Sequence, residues 1–93
     1  SALQEARLQH FLPDFFGKFK YKDWQEFWNI IYEPIEEEQG QFKVKRHRTQ
    51  EEIEGHLMYY YPEPFSRFRK RQWDHFWSVI FPPKVEVIRE GEA

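Results

Sequence analysis

The sequence contains no cysteine. Disulfides and thiolate metal sites are therefore excluded, and the absence favours an intracellular location, in the cytoplasm or the nucleus. Long hydrophobic runs are missing as well, since no stretch approaches the roughly 18 apolar residues that a membrane span needs. No signal-peptide pattern is present either. We therefore expect a protein that does not enter the membrane.

Residues typical of catalytic motifs are scarce and scattered. The four glycines form no phosphate-cradling loop. The three serines stand in no nucleophile elbow and beside no plausible His–Asp pair. The four histidines do not occur at the short helical spacings that would let two of them share a zinc ion. We predict a non-enzyme, with no catalytic residue, no metal and no cofactor.

A large excess of charge of either sign is also lacking, because the net charge is −2. This balance does not favour nucleic acid or an anionic membrane as the main partner. The densest acidic run, Glu36–Glu38, precedes a glycine and is followed by basic residues. We interpret it as a solvated segment, since acid–base catalysis needs paired carboxyl groups in different environments.

Aromatic side chains, in contrast, make up 20% of the 93 residues. A chain of this length forms one small domain and buries only roughly 60–65% of its unfolded surface. Each buried aromatic ring removes about 150–250 Å² from water, so the rings can supply a dense core. Because the chain begins with Ser1 and not with Met, we also expect it to be a piece of a longer protein.

A spacing of 49 residues recurs along the chain, as between Trp24 and Trp73. No gap is needed to align residues 8–34 with residues 57–83, within two copies that span residues 1–34 and 49–83. We therefore predict a tandem repeat of two copies, joined by a charged loop, 35–48, and followed by a short tail, 84–93. Identical pairs at this spacing include Leu8 and Leu57, Pro13 and Pro62, Phe16 and Phe65, Phe19 and Phe68, Phe27 and Phe76, Trp28 and Trp77, Ile31 and Ile80, and Pro34 and Pro83.

Each copy reads as a hairpin of two helices. The first helix of each copy opens with a capping-box pattern, at Ser1 and at Thr49. Pro13 and Pro62 end these helices, because proline lacks the backbone N–H and disfavours helix in the residue before it. The fold class predicted for the chain is therefore mainly α, with two pseudo-repeated helical hairpins.

Apolar residues at positions i, i+3, i+4 and i+7 mark the second helix of each copy. We interpret these stripes as the shared core, because so short a chain must bury its largest side chains to be stable. The phenylalanines between the helices, such as Phe16 and Phe65, are expected to close the open end of each hairpin. The predicted core residues are Trp24, Phe27, Trp28, Ile31, Trp73, Phe76, Trp77 and Ile80.

Two segments alternate apolar and polar residues as strands do, 41–45 and 84–88. Either can form a short strand, and the two can pair at the edge of the helical body. The fold class therefore leaves room for a small two-stranded β element.

Three adjacent tyrosines, Tyr59–Tyr61, indicate a surface for a partner. Neighbouring residues of a helix point in different directions, so at least one of the three rings must leave the core. An exposed tyrosine suits an interface, because it offers contact area and a hydroxyl at low entropic cost. We select Tyr59 and Tyr61 as candidate partner-binding residues.

Basic residues cluster just before the second helix of each copy. A helix N-terminus already carries positive partial charge, so cations there need a negative group to meet them. That group can be a phosphate, a carboxylate of a partner, or the chain's own Glu36–Glu38. A third basic cluster spans residues 43–48. The candidate basic residues are Lys18, Lys20, Lys22, Arg67, Arg69 and Arg71.

Taken together, these features favour a protein-interaction or scaffold module. Its expected partner is another protein or the rest of a parent chain, and a homodimer is a further option. The alternative is an RNA- or DNA-binding helical-repeat module that uses the basic segments between the helices. The exposed tyrosines favour the first hypothesis and the basic clusters the second.

Overall fold

The computed structural model describes residues 1–82, which form six helices and one antiparallel β-hairpin. The predicted mainly α class is confirmed. The predicted strand at 84–88, the tail and Pro83 lie outside the described residues. The elements are α1 (Ala2–Phe11), α2 (Pro13–Phe16), α3 (Tyr21–Tyr32), β1 (Ile35–Gln39), β2 (Phe42–Arg46), α4 (Gln50–Tyr60), α5 (Pro62–Phe65) and α6 (Lys70–Ile80).

Helices α1 and α4 begin at the predicted capping boxes. The Ser1 hydroxyl accepts from the Gln4 backbone N–H at 3.3 Å, and the Thr49 hydroxyl accepts from the Glu52 backbone N–H at 3.2 Å. Both helices end just before the residue that precedes a proline, as the backbone restriction at such sites requires. The capping residues thus fix where each half of the chain begins.

The joint between the long helices is itself helical, which the sequence did not reveal. Pro62 opens the segment α5, in which Glu63 has non-helical φ and ψ of −104° and 120°, and Pro13 stands at the first position of the four-residue helix α2. Proline is favoured there, because the first N–H of a helix has no partner and the ring presets φ. These short helices place Phe16 and Phe65 in the core, each 0% exposed.

Helices α3 and α6 carry the two aromatic stripes. Phe27, Ile31, Phe76 and Ile80 are buried. Of the four predicted core tryptophans, Trp24 and Trp77 are 9% and 8% exposed, while Trp28 and Trp73 are half-buried and pack against the core. One apolar face of each helix therefore points into the core. The partly buried tryptophan of each helix, Trp28 or Trp73, lies at the edge of that face.

Residues 35–48, expected to be a charged loop, contain the β-hairpin. Glycine at position 40 has φ +62°, a left-handed conformation that suits the tight turn between the strands. The predicted strand at 41–45 is present as β2, but its partner is β1 and not the segment 84–88. Glu36 and Glu38 lie opposite Lys45 and Lys43. The acidic run is thus a solvated strand that faces lysines of its own hairpin.

The long helices pack across the two halves of the chain. Helix α1 contacts α6, and helix α4 contacts α3. At the centre, the rings of Phe16 and Phe65 lie 6.4 Å apart and those of Phe27 and Phe76 lie 6.3 Å apart. Each of these contacts joins residues 49 positions apart in the sequence. Neither half therefore has a complete core by itself.

A tryptophan–glutamate hydrogen bond ties the long helices within each half. Trp28 Nε1 donates to Glu5 at 3.0 Å, linking α3 to α1. Trp77 Nε1 donates to Glu54 at 2.8 Å, linking α6 to α4. The two bonds use residues at the same spacing of 49 and satisfy indole N–H groups that are partly buried.

Arg46 attaches the hairpin to α4. Its guanidinium donates two hydrogen bonds to the Glu52 carboxylate, at 2.6 and 3.0 Å, and one to Glu37 at 2.7 Å. Glu52 also accepts from the Thr49 backbone N–H at 3.0 Å, so one carboxylate both caps α4 and holds the hairpin. These bonds, first of all those from Arg46, hold the pKa of Glu52 at about 2, below its ordinary value of 4.5.

This arrangement predicts an acid-labile hairpin attachment. The pKa of Glu52 is lower in the folded than in the unfolded chain, so its contribution to stability is complete above about pH 4.5 and is lost as the pH falls toward about 2. We expect Glu52→Gln to destabilise the protein at pH 6 but to have little effect near pH 2. Urea unfolding of both proteins across this range measures the difference. A constant difference at every pH would contradict the prediction.

Candidate functional site: two grooves between packed helices

A groove with a volume of about 400 Å³ runs between α3 and α4. We call it the α3–α4 groove. Its walls carry two carboxylates, two tyrosines, a histidine and an arginine. The lining residues are Glu26, Asn29, Ile30, Glu33, Arg48, His56, Tyr60 and Tyr61.

His56 and Tyr60 occupy one wall of the groove, one helical turn apart on α4. The Nδ1 atom of His56 lies 2.9 Å from the carbonyl oxygen of Glu52. A carbonyl can only accept, so Nδ1 carries the proton and Nε2 of the neutral ring remains available as an acceptor. The rings of His56 and Tyr60 lie 6.3 Å apart. The wall therefore offers an oriented imidazole beside a phenol.

Tyr61 differs from its neighbours because it packs into the aromatic core. Its ring lies 5.5 Å from that of Phe15 and 6.1 Å from that of Phe19. Burial raises the pKa of its phenol, and the negative charges of Glu26 and Asp23 raise it further. The carboxylates of Glu26 and Asp23 therefore lie close enough to act on this phenol. Tyr61, selected from the sequence as a partner-binding residue, thus packs against the core and also lines the groove.

Tyr59 and Tyr60 are the exposed members of the triplet, with 78% and 60% of their surface accessible. Beside them a shallow depression continues from the α3–α4 groove across the outer face of α4, lined by Glu52, Gly55 and His56 as well. Space beside Gly55 is open. The accessible aromatic surface is therefore continuous with the groove, and Tyr60 belongs to both.

Arg48 closes one end of the α3–α4 groove. Its Nη1 lies within hydrogen-bond distance of three carbonyl oxygens at the end of α3, those of Asn29, Ile30 and Glu33, at 3.5, 3.3 and 3.2 Å. A cation is favourable there, because the last carbonyls of a helix carry negative partial charge. Arg48 therefore donates to carbonyl groups at the C-terminus of α3. It forms no salt bridge with Glu26 or Glu33, the two carboxylates that line the groove.

A second groove lies between α1 and α6, at positions that correspond to the first by the spacing of 49. We call it the α1–α6 groove. It consists of two adjoining depressions of about 370 and 340 Å³ that share His75. Among residues 1–82 no carboxylate lines it, and the lining residues are Ala6, Arg7, His10, Phe11, Arg71, Gln72, His75 and Val79.

The charged residues of the two grooves differ. Glu26 in the first groove corresponds to His75 in the second, and His56 corresponds to Arg7. The scaffold is thus shared while the surface chemistry differs, since one groove is acidic with tyrosines and the other is basic with a phenylalanine.

The basic residues selected from the sequence are all exposed. Arg67 pairs with Glu63 at 2.8 Å, and Arg71 lines the α1–α6 groove. Lys22 lines a further depression, between the start of α3 and Glu5. Glu36–Glu38 do not meet the clusters that precede α3 and α6, because Glu37 bonds Arg46 and the other two face lysines of the hairpin.

Sequence reasoning missed both grooves. The periodicity identified the inward faces of the helices, but a groove depends on which two helices lie side by side. The aligned halves do contain a difference in charge that concerns the grooves, because Glu26 in the first half corresponds to His75 in the second. This difference can be interpreted only when both residues are known to line grooves.

Metal chemistry and membrane insertion find no structural support in residues 1–82. No three acidic or histidine side chains within this range come together in a way that could hold a metal ion. The helices of the described part are too short and too polar to cross a membrane.

Comparison with protein families, curated proteins and solved structures finds no match to this chain.

Proposed function

We propose that this protein is a non-enzymatic interaction module, and that the α3–α4 groove binds a basic segment of another protein. The observation that carries the proposal is the continuity of an acidic groove with exposed tyrosine surface on α4. Tyrosine is enriched at protein interfaces, because it offers large contact area with few rotatable bonds. The intracellular location expected from the missing cysteines stays a prediction.

Charge and aromatic character together define the partner. Glu26 and Glu33 attract a cation, and the faces of Tyr59 and Tyr60 can receive one by a cation–π contact. A lysine or arginine side chain with an apolar stem fits a groove whose floor includes Ile30. We therefore infer a partner segment that carries a lysine or arginine beside apolar residues.

We further propose that the module arose by duplication of a unit of 49 residues. The matched contacts support this origin, since Trp28–Glu5 and Trp77–Glu54 are hydrogen bonds at the same two positions of each half. Phe16 stacks on Trp24 at 5.5 Å, and Phe65 stacks on Trp73 at 5.7 Å. Duplication followed by divergence accounts for equivalent grooves with different chemistry.

A random peptide library displayed on phage tests the interaction. We expect the selected peptides to be basic. Tyr60→Ala should weaken the best of them by about 30-fold, which corresponds to a hot spot of about 2 kcal/mol. Glu26→Lys should weaken binding by repelling the cation. Tyr21→Ala is the matched control, because Tyr21 is 79% exposed but does not line the groove, and it should leave affinity unchanged.

Nucleic acid at the segments before α3 and α6 is the competing function, and it predicts a different result. Generic RNA would then bind at about 0.15 M salt, and log affinity would fall with log salt at about 0.7 per phosphate contact. Reversing Arg67 and Arg69 to glutamate would reduce that slope by about 1.4, for two phosphate contacts. This outcome, together with a library that yields no basic peptide, would refute the protein partner.

A further inference from the structure

The α1–α6 groove has the composition of a binding site, and its chemistry differs from that of the proposed protein-binding groove. Two arginines and two histidines surround it, and all four side chains are exposed. Neither Arg7 nor Arg71 forms a salt bridge with another residue of the described part. Within residues 1–82 the groove therefore carries two arginine charges that no salt bridge compensates, although the whole chain has a net charge of −2.

An aromatic platform lies within this positive surface. The rings of Phe11 and His75 are 4.6 Å apart and tilted by 50°. Phe11 is half-buried and packs edge-on against Phe68 at 5.9 Å, so the core holds one ring of the platform in place. The two rings form a tilted pair whose exposed member is His75, so a flat ligand can stack on the platform at the His75 ring, which Phe11 supports.

We propose that the α1–α6 groove is a second binding site, which takes single-stranded nucleic acid independently of the protein-binding groove. A base stacks on the platform of Phe11 and His75, and Arg7 and Arg71 contact the neighbouring phosphates. Proteins that bind single strands combine these two elements, a basic groove along the backbone and aromatic rings for the bases. An acidic peptide would use the arginines but would leave the platform unused.

The site differs from the basic segments selected from the sequence. Of those six residues only Arg71 contributes, and its partners Arg7, His10 and His75 come from helix positions that the charge clusters did not include. The first half of the chain provides matched control residues for variants of this site. Lys22 corresponds to Arg71, and Glu26 corresponds to His75. Replacing His75 by glutamate therefore gives the second groove the residue found in the first.

Fluorescence anisotropy with labelled oligo(U) and oligo(dT) tests the proposal on the full chain. We expect saturable binding whose log affinity falls with log salt at a slope of about −1.4 to −2.8, for two to four phosphate contacts. Arg7→Glu and Arg71→Glu should each weaken binding by about fourfold or more at 0.15 M salt. His75→Glu should weaken it as well, and Phe11→Leu should weaken it without changing the slope. Lys22→Glu should have no effect.

Three results would overturn the site. One is the absence of oligonucleotide binding by a wild-type chain that is folded by circular dichroism. A second is equal loss in Lys22→Glu and Arg71→Glu, which would indicate nonspecific attraction to any surface cation. A third is displacement of the oligonucleotide by a polyglutamate peptide at equal charge concentration, together with an unaltered affinity in Phe11→Leu, which would identify an acidic protein segment as the ligand. None of these results affects the peptide selection at the α3–α4 groove.

Discussion

Phe27→Ala and Phe76→Ala are each expected to lower the free energy of unfolding by about 3–5 kcal/mol. Both rings are 0% exposed and face each other across the centre of the core, 6.3 Å apart. Removing either leaves a cavity that the surrounding rings can fill only in part. Since a small domain is stable by only about 5–15 kcal/mol, each change threatens folding at moderate temperature.

Urea unfolding followed by tryptophan fluorescence measures both variants. Because the two rings correspond by the spacing of 49 and share one contact, their costs should be similar, and the double variant should cost less than the sum. Tyr21→Ala is the surface control and should change stability by no more than about 0.5 kcal/mol. A large cost for one phenylalanine and a negligible cost for the other would contradict a core shared by the two halves.

Trp77→Ala is expected to cost about 3–5 kcal/mol, and Trp28→Ala less, on the order of 2 kcal/mol. Trp77 is 8% exposed, whereas Trp28 is half-buried. Both indole N–H groups bond a glutamate, so this term is common to the two variants. The difference therefore reports the apolar surface that each ring buries, and melting temperatures should fall in the same order.

Phenylalanine substitutions separate packing from hydrogen bonding. Trp77→Phe keeps most of the ring but leaves Glu54 without its donor, which should cost about 1–3 kcal/mol. Adding Glu54→Ala to that variant should cost less than it does in the wild type, because the carboxylate has already lost its partner. Equal costs of Glu54→Ala in both backgrounds would show that the bond of 2.8 Å contributes little.

Much of the secondary structure could be predicted from local patterns. Ser1 and Thr49 marked the starts of α1 and α4, because a side-chain oxygen at the N-cap satisfies a backbone N–H within a few residues. The apolar stripes marked α3 and α6, because a helix returns to the same face every 3.6 residues. Caps and apolar stripes both depend on residues within one or two helical turns, so they can be recognised in the sequence without knowledge of the fold.

Errors arose where a local pattern has more than one outcome. Pro13 and Pro62 follow the ends of α1 and α4 as predicted, but the sequence did not show that the short helix α2 begins at Pro13, because proline is also favoured at the first helical position. Glu36–Glu38 lies in the predicted charged loop but forms part of β1, although glutamate has low strand propensity. Lysines directly across the hairpin offset that propensity, and their position depends on the register of the strands.

The candidate sites were less predictable than the fold. Tyr59 and Tyr61 were selected together, but Tyr59 is exposed and Tyr61 packs against Phe15 and Phe19. Adjacent residues on a helix diverge in direction by about 100°, so the sequence shows that some of three rings must leave the core without showing which. That choice depends on the helix that packs alongside.

The sequence by itself determined the caps, the inward stripes and the residue pairs that recur at a spacing of 49, because these depend on residues close along the chain or can be read directly from the sequence. Only the tertiary structure decided that α1 packs on α6 and α4 on α3. Any of the apolar stripes can bury its surface against any other, since the hydrophobic effect is nondirectional, and the shapes of the rings select one arrangement. That arrangement creates the two grooves and places Glu26 in one and His75 in the other.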